Sequence, residues 1–178
     1  MFIFVLYYLF VTVSAEQGLE KSNYYRKLHG VNNFIISKTI QNSAQNWAEY
    51  LAEYDVFQHS PTLKYGENLA MFYNTGLTND EASDLAVKMW YEEIDKYNYS
   101  DPRFSMKTGH FTQVVWASSK MIGTGIARSN RFIYVVTQYY PYGNVYSQFQ
   151  NNVFPLLPSP QPMLPPIYPP PVYPPGTL

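Results

Sequence analysis

The chain has 178 residues, a formal net charge of −1 and no cysteine, which is the size of one ordinary domain. So balanced a charge argues against electrostatic binding to nucleic acid. The missing thiols exclude disulfides, thiol catalysis and zinc–thiolate centres together.

Residues 1–15, MFIFVLYYLFVTVSA, form an apolar run that ends in Val13-Ser14-Ala15 and gives way to Glu16, Gln17, Glu20 and Lys21. A membrane span needs roughly 20 apolar residues, so this run reads as a signal peptide cleaved after Ala15. Oxidising compartments usually favour disulfide staples, yet the remaining domain, residues 16–150, is large enough to fill a core without them. From Gly18 to about Leu28 the pattern is short and helical, with Gly30 as its stop. A second helix runs from about Lys38 to Tyr54, with Ile40, Ala44, Trp47, Ala48, Leu51 and Ala52 on its apolar face and Ser37 as its cap. Residues 58–68 form a loop broken by Pro61 and Gly66, and Leu69–Tyr73 is a short strand.

Thr78-Asn79-Asp80-Glu81 reads as a capping box that opens a third helix. Its apolar stripe comprises Ala82, Leu85, Ala86, Met89, Trp90, Ile94 and Tyr97. At about 100° per residue Glu93 falls near the centre of that stripe and Glu92 at its edge. A carboxylate there is costly unless it is paired or serves a site, so an ion pair with a core arginine and a functional role both stand open. After the loop 97–108 and Gly109-His110, the segment Phe111–Trp116 reads as strand-like. Met121–Arg128 and Phe132–Tyr139 alternate around Ser129-Asn130-Arg131 and predict a β-hairpin. Helices first and strands later indicate an α+β layer fold. The last part, residues 151–178, is dominated by proline from about Val153; such a stretch is extended, largely polyproline II.

Four stretches, in order, carry a resemblance. Asn23-Tyr24-Tyr25-Arg26 with His29-Gly30 is similar to an H-N-x-x-R motif with Ser22 in place of the His; Gly66-Glu67-Asn68-Leu69-Ala70 matches G-E-N-[LIV]-A. Gly109-His110-Phe111-Thr112-Gln113-Val114-Val115-Trp116 fits G-H-[FY]-[TS]-Q-[LIVM]-[LIVMA]-W, and Gln138-Tyr139-Tyr140-Pro141-Tyr142-Gly143-Asn144 fits [NQ]-Y-x-P-x-G-N, with Thr137 where a Cys is usual. The chain thus resembles the CAP superfamily of cysteine-rich secretory proteins, antigen 5 and plant pathogenesis-related proteins. Its lack of cysteine and its WYEEI and YPYGNV wording are most similar to the Golgi-associated plant pathogenesis-related type. That type is myristoylated, whereas Phe2 here rules the modification out. The resemblance implies an α-β-α sandwich with a central antiparallel sheet, and a short helix rather than a strand at Phe111–Trp116.

It also implies a cavity tetrad of His59, Glu67, Glu93 and His110. Two imidazoles with carboxylates suit Zn²⁺ or another divalent cation, the carboxylates either ligating or orienting the rings; no cofactor is required, because the four can equally knit the chain together by hydrogen bonds. His29 reads as structural. No Gly-x-Ser-x-Gly, His-Glu-x-x-His or nucleophilic Cys supports catalysis, which favours binding over a metal-dependent hydrolase. The spacing of Tyr97, Tyr99 and Phe104 resembles the family's sterol-binding loop; core packing of these rings is the alternative reading. Asn98-Tyr99-Ser100 is a glycosylation sequon, and a glycan on Asn98 would hinder docking of the loop on a membrane. Pro165-Pro166-Ile167-Tyr168 and Pro170-Pro171-Val172-Tyr173 are PPxY segments, so Tyr168 and Tyr173 would recruit WW domains only if the tail were cytosolic; in a secreted chain the tail is a spacer or an adhesive. The expectation is a secreted, non-enzymatic protein that binds a lipid or sterol, or an extracellular protein, with peripheral membrane contact at most.

Overall fold

A computed structural model describes residues 18–158. The expected signal peptide and the tail motifs at Tyr168 and Tyr173 lie outside the described residues. The elements are α1 (18–28), β1 (Ile35–Ile36), α2 (Lys38–Tyr54), β2 (Gly66–Tyr73), α3 (Asn79–Glu92), a 3₁₀ turn (Glu93–Lys96), α4 (Gly109–Val114), β3 (Met121–Arg128), β4 (Phe132–Tyr140) and a 3₁₀ turn (Phe149–Asn151).

Period-two alternation along β4 sends Tyr134 and Val136 to one face of the sheet and Ile133 and Val135 to the other. The first pair packs under α2, against Ala44, Ala48 and Leu51. The second packs with Trp90, Tyr91, Phe111 and Trp116 beneath α3 and α4. Both faces of the central strand are covered, which is why it reads as a nearly continuous apolar run, and the result is an α-β-α sandwich. The strand order is β1-β3-β4-β2. β2, β4 and β3 pair antiparallel, and the two-residue β1 adds a parallel edge through Ile35↔Met121 and Ile36↔Ile122. α2 lies directly on β3: a Cβ at Gly123 or Gly125 would strike the backbone of Gln41 or Gln45, so these positions require glycine.

The hairpin and α2 form where the pattern predicts them. Thr78 makes the full capping box with Glu81, and Gly30 follows α1 with φ +67°. Other expectations need correction. Ser37 stands at the N-cap of α2 but makes no side-chain cap bond. Met89 is 48% exposed; the buried face of α3 is Ala82, Ser83, Ala86, Val87, Trp90 and Tyr91. β2 begins at Gly66, earlier than Leu69, because Gly66, Glu67 and Asn68 pair with Tyr139, Gln138 and Thr137. Phe111–Val114 is helical, as the resemblance implies, and not strand-like.

The core arginine does not pair with Glu93. Arg26, wholly buried, donates through Nε to Asn32 O (2.7 Å), through Nη1 to Val114 O (3.0 Å) and Trp116 O (2.9 Å), and through Nη2 to Ser119 O (3.0 Å). Its guanidinium also lies 3.7 Å over the Phe34 ring. Burial pushes Arg26 down to about 9, and the carbonyl cage holds a cation at the C-terminal end of α4. His29 is structural, as expected. Its Nδ1 must donate to Phe154 O (2.6 Å), which leaves Nε2 to accept from the Tyr91 hydroxyl (2.9 Å). Burial lowers its pKa against the opposing pull of the Phe154 carbonyl.

Candidate functional site

Glu93 stands where α3 tightens into the 3₁₀ turn, and this junction turns its carboxylate from the α3 stripe toward the start of α4. Oε1 meets His110 Nδ1 at 2.8 Å, while Oε2 accepts the N–H groups of His110 (3.0 Å) and Phe111 (3.2 Å). Thr108, the N-cap of α4, makes no side-chain cap bond; Glu93 satisfies these amides instead. Neighbouring Glu92 is exposed and pairs with Lys88 at 3.6 Å.

Glu67 rises from β2 beside its register partner Gln138. Oε1 meets His59 Nδ1 (2.8 Å) and the Ser60 N–H (2.9 Å), and Oε2 accepts from Gln138 Nε2 (2.9 Å). The Glu67 side chain is 7% exposed and that of His59 64%. Burial alone would raise the Glu67 carboxyl, but the hydrogen bonds from His59, Gln138 and Ser60 outweigh it and hold it below the usual carboxylate range. The same contact raises His59 above the ordinary imidazole value, against its own partial burial.

The recognised motifs interlock around these pairs. Asn68 Nδ2 donates to His110 O (3.1 Å) and ties β2 to α4. Gln113 Oε1 accepts from Gly143 N (2.8 Å) and fills the space where a Cβ at Gly66 or Gly143 would stand. Asn144 Nδ2 donates to Gly109 O (2.9 Å) and its Oδ1 accepts from the Thr112 hydroxyl (2.6 Å). Arg26 and Gln113 are the residues that isolated pattern reading misses: both are polar and fully enclosed, and only their motif membership signals them.

His59, Glu67, Glu93 and His110 thus form two His–Glu pairs. His59, Glu67 and His110 border a cavity of about 150 Å³, with Phe104, Met106 and Asn144 also in its wall. A larger surface groove, about 600 Å³, lies between Lys21, Asp84 and Lys88 and contains no histidine. In each pair Nδ1 faces a carboxylate, so the neutral ring keeps its proton there and carries its lone pair on Nε2. That is the support that metal-binding histidines usually have. Among the described residues, no group of three or more His, Asp or Glu side chains lies close enough to hold a metal ion. In both pairs Nε2 is the ring nitrogen turned away from the carboxylate.

The aromatic loop divides. Tyr97 and Tyr99 pack against the core beneath α3 and α4, their ring centroids 4.8 Å apart, and Tyr97 lies 5.5 Å from Phe111. Both hydroxyls are buried without a hydrogen-bond partner among the described residues. Phe104 is 50% exposed and Met106 87%. Asn98 is exposed, with Oδ1 accepting from Ser100 N at 3.0 Å.

The profile of the cysteine-rich secretory protein (CAP) family matches residues 19–140. The human Golgi-associated plant pathogenesis-related protein 1 is 38% identical over 146 residues, covering 79% of this chain and 92% of that protein. Secreted protein PRY1 of Candida albicans is 37% identical over 144 residues, covering 79% of this chain but 32% of that protein. Among solved structures, NaASP2 with Zn²⁺ superposes with a TM-score of 0.63 at 24% identity, covering 74% of this chain and 80% of that one.

Proposed function

The chain belongs to the cysteine-rich secretory protein (CAP) family, and from that premise we propose that it is an exported, non-enzymatic binding protein that takes a lipid or sterol at the rim of the His/Glu cavity. One observation carries the reading: both glutamates are used up in holding histidines and backbone amides, while Phe104 and Met106, two exposed side chains in the same cavity wall, are apolar. A hydrolytic centre needs a base or an activated nucleophile in reach of a substrate; these carboxylates have their partners already. An apolar rim over a small polar pocket suits a ligand with one polar end and a flat apolar body. Export rests on the apolar run 1–15, with support from a relative named as a secreted protein.

A divalent cation enters this proposal only as an adjunct. His59 and His110 would hold it through Nε2, and it would supply Lewis acidity to a polar ligand group or a water. The relative solved with Zn²⁺ supports that fit.

The test is binding of radiolabelled cholesterol to the exported chain. Phe104→Ser with Met106→Ser should weaken binding about tenfold or more, since each loses apolar contact worth about 1 kcal/mol, and should leave the melting temperature unchanged. Unaltered affinity in the folded double variant overturns the reading. Turnover of an ester or peptide that His110→Ala abolishes would put the metal-dependent hydrolase in its place.

A further inference from the structure

The cavity leaves two features without a role: the proline-rich segment beyond residue 158, and an aromatic ladder on the opposite layer of the sandwich. α2 buries one stripe against the sheet, but its outer side carries Trp47, Tyr50 and Tyr54 at three- and four-residue steps, so the rings stack along the helix. The Trp47 and Tyr50 ring centroids are 4.7 Å apart with planes at 9°; those of Tyr50 and Tyr54 are 4.7 Å apart with planes diverging by 42°. Phe57 extends the apolar surface past the helix end, and Tyr50, Tyr54 and Phe57 are 40%, 58% and 51% exposed. Trp47 is fixed in place by its Nε1–H donating to Gln58 O at 3.1 Å. The hydroxyls of Tyr50 and Tyr54 make no hydrogen bond among the described residues. Because the rings cover one another's faces, the stack offers a ligand its rigid apolar outer edges; these edges and the two phenol donors suit a polyproline II ligand, whose prolines pack on aromatic surface and whose backbone carbonyls have no internal partner.

The chain carries such a ligand in Pro165-Pro166-Ile167-Tyr168-Pro169-Pro170-Pro171-Val172-Tyr173. Residues 159–178 hold no charged side chain, so the exposed Glu49 and Glu53 on α2 do not repel them. The preceding residues already lie on the domain: Val153 is buried, and the Leu157 N–H donates to Leu28 O at 2.8 Å. The Leu157 side chain rests against Gly30. From Gly30 to Lys38 the chain covers at most about 29 Å, and from Lys38 to Trp47 the helix rises about 14 Å. Trp47 therefore lies within about 43 Å of the point where the tail leaves α1. Leu157 to Tyr173 as polyproline II spans about 50 Å, which reaches the ladder with nothing unfolded. Tethering raises the local concentration to the millimolar range, so even a weak contact is populated.

We propose that the proline-rich segment 159–178 docks in cis on the α2 face formed by Trp47, Tyr50 and Tyr54. Trp90 and Trp116 are buried at 3% and 0% exposure, which makes them internal references for Trp47. Because the chain has no cysteine, Thr177→Cys gives a single attachment point for a nitroxide on the full chain. The readout is the three indole N–H signals of ¹⁵N-labelled protein, with Trp47→Phe identifying that of Trp47. Docking in cis predicts paramagnetic loss of the Trp47 signal, with those of Trp90 and Trp116 retained, and no change on dilution. Tyr50→Ala with Tyr54→Ala should restore the signal; if that variant fails to fold, Ser in place of Pro165, Pro166, Pro170 and Pro171 must restore it instead. Three results overturn the proposal: equal signals for all three indoles, a loss that survives the restoring substitutions, or a loss that fades on dilution and returns when labelled and unlabelled copies are mixed. The last would assign the ladder to the tail of a second copy.

Discussion

The two histidines of the cavity meet their glutamates through the same contact, Nδ1 to Oε1 at 2.8 Å, yet the carboxylates are set into the fold by different means. Glu93 joins two helical elements: its second oxygen closes the first amides of α4, and its side chain is 18% exposed beside a His110 that is 36% exposed. Glu67 projects from inside a strand whose ladder is complete without it, and it holds a loop histidine that is mostly in water. Equal distances therefore do not mean equal energies. Removing Glu93 strands two backbone donors at the start of α4, whereas removing Glu67 strands one, in the loop that carries His59.

The largest expected effect follows from that contrast. Glu93→Ala leaves the His110 and Phe111 amides without their acceptor and should destabilise the chain by about 2–4 kcal/mol. Glu67→Ala should cost about 1–2 kcal/mol, for the Ser60 amide and the Gln138 side chain. Urea denaturation of the full chain measures both, and equal losses would break the comparison.

Within the aromatic loop the direction of the effect reverses. The buried hydroxyls of Tyr97 and Tyr99 have no partner among the described residues, and burial raises the pKa of both phenols. Tyr97→Phe and Tyr99→Phe each remove an unsatisfied group from the core and should raise stability by about 1 kcal/mol. Phe104→Ser, at an exposed position, should stay within about 0.5 kcal/mol of the parent. A loss of stability in either Tyr→Phe variant would show that its hydroxyl has a partner in solution.

The same loop shows how far the sequence could be read. Spacing finds Tyr97, Tyr99 and Phe104 but cannot say that two rings turn into the core and one over the cavity, since loops lack the periodicity that assigns a face. Helical periodicity does assign α2 over Lys38–Tyr54, and it marks Glu93 as anomalous. It also misplaces Met89, because a wheel extended through Tyr97 assumes one continuous helix, whereas α3 ends at Glu92 and tightens into a 3₁₀ turn. β1 escapes notice because two residues show no alternation. The role of Gln113 becomes visible only when Gly66 and Gly143 lie on either side of its amide. The tetrad was legible through motif resemblance; that it forms two separate pairs was not.

The smallest expected effect concerns His59. Its hydrogen bond to Glu67 keeps the folded-state pKa above the unfolded one, against the opposing pull of burial. A histidine shifted this way contributes its stability fully below about pH 6.5, and the contribution disappears as pH rises through the folded value. Glu67 carries the opposite sign. Burial would raise it, its hydrogen bonds lower it further, and its contribution holds above about pH 4.3 and is lost as pH falls through the depressed value. The pair is therefore most stabilising at mildly acidic pH. With His59 64% exposed, the contribution stays below about 1 kcal/mol and shrinks with salt. The parent should exceed His59→Gln in melting temperature at pH 5.5 by a margin that narrows as pH rises through the raised imidazole value. Zinc at Nε2 needs the neutral ring, so a zinc-induced rise in melting temperature must run the other way, largest near pH 8 and absent near pH 5. That rise should vanish in His59→Ala and in His110→Ala, and survive in Glu92→Ala, whose exposed side chain pairs with Lys88. Thermal scans with zinc and with chelator separate the two trends: a zinc increment that does not depend on pH would place the ion away from these imidazoles, and a margin over His59→Gln that stays the same as pH rises would remove the charged His59–Glu67 pair from the account.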